Sequence, residues 1–262
     1  MKQFDMSDNH SSNQYRGMTH YVELPSAGKH YPEGHPLHGI DKVEIKMLTT
    51  KEEDILTNTS YIENGVVINK LIEEILLIDL ESKDLHDADQ MAILIAARIE
   101  AYGQHYPIEI LCSNCGEYFS HDLDLTDFGF GEMGDIAEQT EVGTYVVFLP
   151  KSEKTVEFKH LLPKDVATIE KTVDKMKKLN IKTNFNTEFY RRIILSVDGD
   201  ANKGVITELI DNLRIMDSRK IFAAYTDSLP SMDTFYKCDC SHCGHANEGG
   251  MPVQASFFFP KF

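Results

Sequence analysis

Apolar and polar residues alternate in two short runs between residues 20 and 48, with Gly and Pro punctuating the stretch between them. That is the pattern of two strands joined by a loop. In the polar segment TTKEEDIL that follows, Thr50 and Glu53 have the spacing of a capping box at the start of a short helix. Residues 66–80, VVINKLIEEILLIDL, place Val67, Leu71, Ile75 and Ile78 at helical spacing, which predicts a helix with one buried face. Another helix is predicted over MAILIAARIEAY. Asp87 or Asp89 can cap it, Gly103 is a natural left-handed stop, and Ala92, Ala96 and Ala97 suit close packing.

The pattern then changes. YPIEILCSNCGEYFSHDLDL (106–125) reads as two strands bracketing a Cys-x-x-Cys-Gly turn, and the Gly-rich FGFGEMGD (128–135) ends that unit. TEVGTYVVFLPKSEKTVEFKHL (140–161) predicts a β-hairpin turning near Lys151–Lys154. From Lys164 to about Leu229 the spacing is helical throughout, including FNTEFYRRIILSV, with apolar residues at 166, 169, 173, 176 and 179 in the first helix. TFYKCDCSHCGHANEGGMPVQASFFFP (234–260) repeats the strand, Cys-x-x-Cys-Gly turn, strand layout.

Composition narrows the function. The 262 residues suffice for one large domain or two ordinary ones, and 42% of them are hydrophobic. With 42 acidic against 26 basic residues the net charge is −16. Nucleic acid is bound largely through Lys and Arg neutralising phosphates, so this balance disfavours it as a partner. The most apolar run, LIEEILLIDL, is broken by Glu73, Glu74 and Asp79, which predicts no membrane span. Residues 1–19 have no apolar segment of the signal-peptide kind and read as a flexible tail. The expected setting for the cysteines is therefore a reducing cytosol, where close pairs bind metal or do redox work more often than they form disulfides.

The five cysteines carry the chemistry. Cys112 and Cys115 form one Cys-x-x-Cys-Gly turn, Cys240 and Cys243 another, each followed by a glycine, Gly116 or Gly244. A two-residue spacer lets both thiolates of a tight turn reach one cation, and two such turns complete a tetrahedral four-thiolate site for a structural Zn2+. The 124 residues between the turns exceed the usual span of about 15–20. A helical domain inserted between two hairpins that meet in space accounts for the gap. Cys238 is an alternative ligand that could replace Cys240, or a spare thiol; His242 and His245 are weaker substitutes. Four protein ligands would close the site to water and make it a clip rather than a reaction centre.

Other motifs weigh less. His35 and His38 of HPLHG read as exposed loop histidines, and DGDANKG (198–204) lacks the calcium-loop Glu at its twelfth position, so it reads as a turn and helix cap. No nucleophile elbow, phosphate loop or His-Glu-x-x-His helix is present, so no enzymatic activity is expected. Phe257, Phe258 and Phe259 are candidates for partner binding. Strand alternation would bury Phe257 and Phe259 and turn Phe258 outward.

The segment order resembles a phage tail family. ELPSAGKHYP, an EIK strand, TTKEEDIL, an apolar helix, ARIEAYGQHYPIEILCSNCG, then VDGDANKGVITELIDNLRIMDSRKIFAAYTDSLPSMD before a second cysteine turn and a terminal FFFP are similar to the T4 baseplate protein family of contractile-tailed phages. The resemblance, over roughly residues 20–260, implies a baseplate hub or hub-assembly protein made in the host cytoplasm and resident at the virion tail baseplate. It implies other hub and tail proteins as partners in an oligomeric or hetero-oligomeric assembly, and it maps the family's paired cysteines onto Cys112, Cys115, Cys240 and Cys243. A transient tail-assembly chaperone is the alternative, and a zinc-ribbon nucleic-acid-binding protein a weaker one. The expected fold class is α+β: a β-strand plus helical region at 20–105, a split zinc-ribbon-like module at 106–135 and 234–262, and a β-hairpin and helical insertion at 136–233.

Overall fold

The computed structural model describes residues 19–179, 184–251, 253 and 255–259. The expected tail at 1–19 therefore lies outside the described residues except for Thr19, which begins a strand. The chain opens with an antiparallel pair, β1 (Thr19–Glu23) and β2 (Lys42–Lys46), in which Val22 faces Val43 in the register and both are buried. Four helices follow: α1 (Thr50–Leu56), α2 (Thr59–Glu63), α3 (Val67–Ile75) and α4 (Asp87–Tyr102). The capping box of α1 sits one residue earlier than its sequence spacing suggests. Thr49 is the N-cap, and Glu52 reaches back to its backbone N–H at 2.7 Å. Two Thr–Glu pairs share the motif's spacing here, and the buried position of Glu52, beside Lys46, selects the first.

Helix α3 is shorter than its periodicity predicts. Leu76 turns to extended backbone and bridges Ile45 of β2, so the helix stops at Ile75 and Ile78 is exposed. A strand partner wins over helical spacing. Helix α4 begins after His86, which makes no side-chain cap. Neither Asp87 nor Asp89 is the N-cap; both lie in the first turn, where carboxylates favour the positive end of the helix dipole. Asp89 is fully buried and accepts from the Ser26 backbone N–H (2.9 Å), the Ser26 hydroxyl (2.7 Å) and the Tyr31 hydroxyl (2.5 Å), fastening the β1–β2 loop to α4. Gly103 ends the helix with φ 84°, a left-handed-side conformation open to glycine.

Next comes the first cysteine hairpin, β3 (His105–Leu111) and β4 (Tyr118–Asp124), then the two-residue strands β5 (Gly129–Phe130) and β6 (Glu138–Gln139). Strands β7 (Tyr145–Leu149) and β8 (Lys154–Phe158) form the predicted hairpin. After α5 (Pro163–Lys178) and α6 (Phe185–Ile193), the chain enters β9 (Ile194–Val197). That strand corrects the helical reading of FNTEFYRRIILSV. Ile194 and Val197 pair with β8, extending an antiparallel sheet of order β6-β7-β8-β9. Helices α7 (Lys203–Asp211) and α8 (Ile215–Asp227) complete the insertion, and DGDANKG does form a turn whose Asn202 caps α7. In α5, Ile169 and Val173 are buried, whereas Leu179 follows the helix and is exposed.

The return is through β10 (Met232–Asp233), which pairs with β5, and the second cysteine hairpin, β11 (Phe235–Asp239) and β12 (Ala246–Gly250). Gly131 N–H donates to Ser231 C=O at 2.8 Å, so the ways into and out of the insertion are joined at its neck. The final described turn, Ala255–Phe258, is a short 3-10 helix.

Among the described residues, burial divides the interior into two large cores and a small cluster of Cys112, Phe119, Cys238 and Cys240. A first core holds β1, β2, α3 and α4 together with Leu123, Leu125, Met251, Phe257 and Phe258. A second core runs from Tyr145 to Tyr225 and packs the β7–β9 face against α5, α6, α7 and α8. Where the two large cores meet, His30, in the β1–β2 loop, lies 2.9 Å (Nδ1 to Nδ1) from His160, whose Nε2 is 3.0 Å from the Ser228 hydroxyl. Lys164 pairs with Asp84 at 2.7 Å across the same boundary. The mixed helices, small antiparallel sheets and cysteine cluster make this an α+β protein with a zinc-ribbon-like module.

Candidate metal centre

Both cysteine turns close by the same hydrogen bonds. In the first, Cys112 N–H donates to Glu117 C=O (3.0 Å) and Gly116 N–H to Cys112 C=O (3.0 Å). In the second, Cys240 N–H donates to His245 C=O (2.9 Å) and Gly244 N–H to Cys240 C=O (2.8 Å). Gly116 and Gly244 have φ of 74° and 69°, which a side chain would strain. Two turns separated by 124 residues thus adopt one conformation, because the same local sequence imposes the same loop closure.

Their sulfurs converge. The Sγ atoms of Cys112, Cys115, Cys240 and Cys243 all lie within 4.8 Å of one another. Cys112 is 3.7 Å from Cys243, and Cys115 is 3.8 Å from Cys240. A tetrahedral Zn2+ with Zn–S bonds of about 2.3 Å requires S···S edges of about 3.8 Å, so these two pairs already have the spacing of zinc ligands. Cys112 and Cys240 are buried, Cys115 and Cys243 exposed, so the centre sits at the module's surface with one sulfur of each turn inside.

Electrostatics set Cys112 and Cys243 against Cys115. The backbone N–H groups of Cys115 and Asn114, with the Asn247 amide, hold the Cys112 thiol down to about 6. The His245 N–H and the Asn114 amide lower Cys243. Cys115 is favoured as thiolate by the Glu117 N–H, yet partial desolvation and the crowding sulfurs of Cys112, Cys243 and Cys240 push it up to about 12. A divalent cation bound among them would let all four sulfurs ionise together.

Cys238 stands apart from the four. It lies on β11 opposite Asn247, buried with Cys112, Phe119 and Cys240, and burial, then Asp239 and Cys240, raise its pKa. A buried neutral thiol packs as a small apolar group. The side chains of His242 and His245 are exposed and outside the cluster; His242 Nε2 is 3.2 Å from Tyr118 C=O. Asn247 was not evident from sequence. Its Oδ1 accepts from Ser113 N–H (3.1 Å) and its Nδ2 lies 3.7 Å from Cys112 Sγ, so it ties the second hairpin to the first cysteine turn. The matching position after the first turn is Phe119, buried in the same cluster, and nothing in the strand pattern separates the two roles.

The remaining candidates resolve differently. Phe257 and Phe258 are both 0% exposed and Phe259 is 41% exposed, so the outward residue is Phe259 rather than Phe258. The 3-10 turn directs consecutive rings inward where a strand would alternate them. Phe257 meets Tyr106 edge-on with centroids 5.0 Å apart, and its C=O accepts from the buried Arg98 Nε at 3.0 Å. His38 is exposed as expected, but His35 is half-buried, stacked on Tyr31 at 4.5 Å. Those two histidines shape a loop.

Fold and site together define an α+β protein in which a split, zinc-ribbon-like module of four cysteines joins the early and late parts of the chain. The family model described as "T4 bacteriophage base plate protein" matches residues 18–259, nearly the full chain, and the chain belongs to that family. No curated protein and no solved structure matches it. Membership makes it a bacteriophage baseplate component, structural or in assembly, that works among other tail and baseplate proteins at the virion tail. No helix among the described residues is long and apolar enough to cross a membrane.

Proposed function

We propose that the protein belongs to the baseplate hub or builds it, and that one Zn2+ held by Cys112, Cys115, Cys240 and Cys243 clips the two ends of its helical insertion into a rigid unit. The observation that carries this reading is the convergence of four sulfurs from two identically closed turns, at zinc-ligand spacing, within a baseplate-family chain. Four protein ligands leave no coordination position for water or substrate, so in this reading the metal supplies folding energy and the protein catalyses nothing. The net charge of −16 speaks against a nucleic-acid role for the ribbon.

Metal analysis of the purified native protein, with thermal unfolding before and after a strong chelator, tests the clip. One zinc per chain and a melting temperature lowered by many degrees on chelation are expected. A metal-free protein whose melting ignores the chelator would overturn it. For the hub role, a chain-terminating mutation in the phage is expected to stop tails at a baseplate intermediate; normal tails from the mutant would refute it. Mass spectrometry of purified virions separates a resident part from an assembly chaperone, which would be missing.

A further inference from the structure

The charge of this chain is not spread evenly. Residues 19–135 contain 23 acidic and 7 basic residues, which is the entire net −16; residues 136–233 contain 15 of each. One end of the molecule is a strongly acidic lobe and the other is balanced.

On the balanced part, α8 has an outward ridge exposed among the described residues. Ile215, Met216 and Phe222 are 73%, 58% and 53% exposed, while Asp217, Ile221, Ala224 and Tyr225 face the second core. Arg219 lies between them at helical spacing and Lys220 beside it, and neither makes an ion pair among the described residues. No exposed carboxylate interrupts the ridge: Asp217 is buried and accepts from the Lys151 backbone N–H at 2.9 Å. Phe222 leans on Phe189, centroids 6.4 Å apart, so its ring has a support. Exposed aromatic, Met and Arg side chains on one helix face are the composition of an interface core.

The acidic lobe offers the complement. Where α3 ends, an open cleft exposes Leu77 (50%) and Ile78 (36%) between Glu73, Glu74, Asp79 and Glu81, against one lining cation, Lys46. Glu73 and Glu81 also meet Lys70 and Lys83, which leaves Asp79 without an ion pair among the described residues. Apolar ridge with cations and apolar cleft with carboxylates match in both properties. Both are exposed in one chain, so neither covers the other there.

We propose that the α8 ridge of one copy docks into the Leu77–Ile78 cleft of a second copy, with Arg219 facing Asp79. Pairing through two acidic lobes is opposed by like charge, so the contact is head-to-tail, and it leaves one ridge and one cleft free for further copies. A single helix ridge covers less than a standard interface of about 800 Å² per partner, so the association is weak and needs high local concentration, as in an assembling tail.

The test is sedimentation velocity of the full, zinc-loaded chain over micromolar to sub-millimolar concentration at low and high salt. Concentration-dependent association that weakens with salt is expected. Phe222→Ser with Arg219→Glu, or Leu77→Asp, should each weaken it at least about tenfold. These positions are exposed, so circular dichroism and melting temperature should stay at wild-type values. An equimolar mixture of the ridge variant and the cleft variant should form a one-to-one dimer that grows no further, because only one intact ridge and one intact cleft remain to meet. A monomeric wild type at every concentration overturns the proposal, as does association that both variants leave unchanged. So would a monomeric chain whose ridge binds a different acidic protein.

Discussion

Replacing Phe258 with Ala would remove a fully buried ring from the first core, whereas Phe259→Ala would trim a side chain already in solvent. Urea unfolding should show a loss of about 3–5 kcal/mol for the first and under about 0.5 kcal/mol for the second. The opposite order would restore the strand alternation that the sequence suggests. At the metal centre, Asn247→Ala removes the amide beside Cys112 and the acceptor for Ser113. Zinc affinity, measured by competition with a chromogenic chelator, should weaken about 10–100-fold, as expected for a group that orients a ligand. Cys238→Ser should retain one zinc per chain and Cys240→Ser should not. The four cysteines that converge could be read from spacing and glycine position; Asn247 beside them could not, because an Asn on a strand carries no signature until the facing turn is in place.

Elements show the same division. Helix α4, its glycine stop, and both cysteine hairpins were legible from period and punctuation. The errors fall where two local readings compete and a distant partner decides. Thr49–Glu52 and Thr50–Glu53 are equivalent as motifs, but only Glu52 lies beside Lys46, at 3.1 Å. Thr49→Ala should therefore cost about 1 kcal/mol in chemical unfolding and Thr50→Ala under about 0.5 kcal/mol. Ile194–Val197 carries on a helical pattern from α6 yet pairs with β8, because the open edge of a sheet offers backbone partners that one more helical turn would forgo.

At the scale of the whole molecule, the buried histidines where the two cores meet make stability sensitive to acid. Burial, with His86 and Lys29, lowers His30 to about 4; burial, with His30 and His86, lowers His160 to about 3. Each titrates near 6.5 when unfolded. Below about 6.5 the unfolded chain takes up protons that the folded chain refuses, so this stability is complete above that value and is lost as pH falls towards 4 and then 3. The slope reaches about 1.4 kcal/mol per pH unit for each histidine. Melting temperature measured from pH 7 to pH 5 should fall, and His160→Gln should flatten the fall. Equal slopes in the two proteins would show that acid acts elsewhere, on the metal thiolates for instance.

The sequence alone determined the α+β class, the two repeated cysteine turns, their four thiolates and the acidic balance, because spacing, glycine and charge act over a few residues. The distances at which those turns meet, the brace of Asn247 on Cys112, the inward Phe258 and the meeting of His30 with His160 came from the tertiary structure alone. Those outcomes depend on which distant surfaces exclude water together, and a linear pattern does not encode the partner.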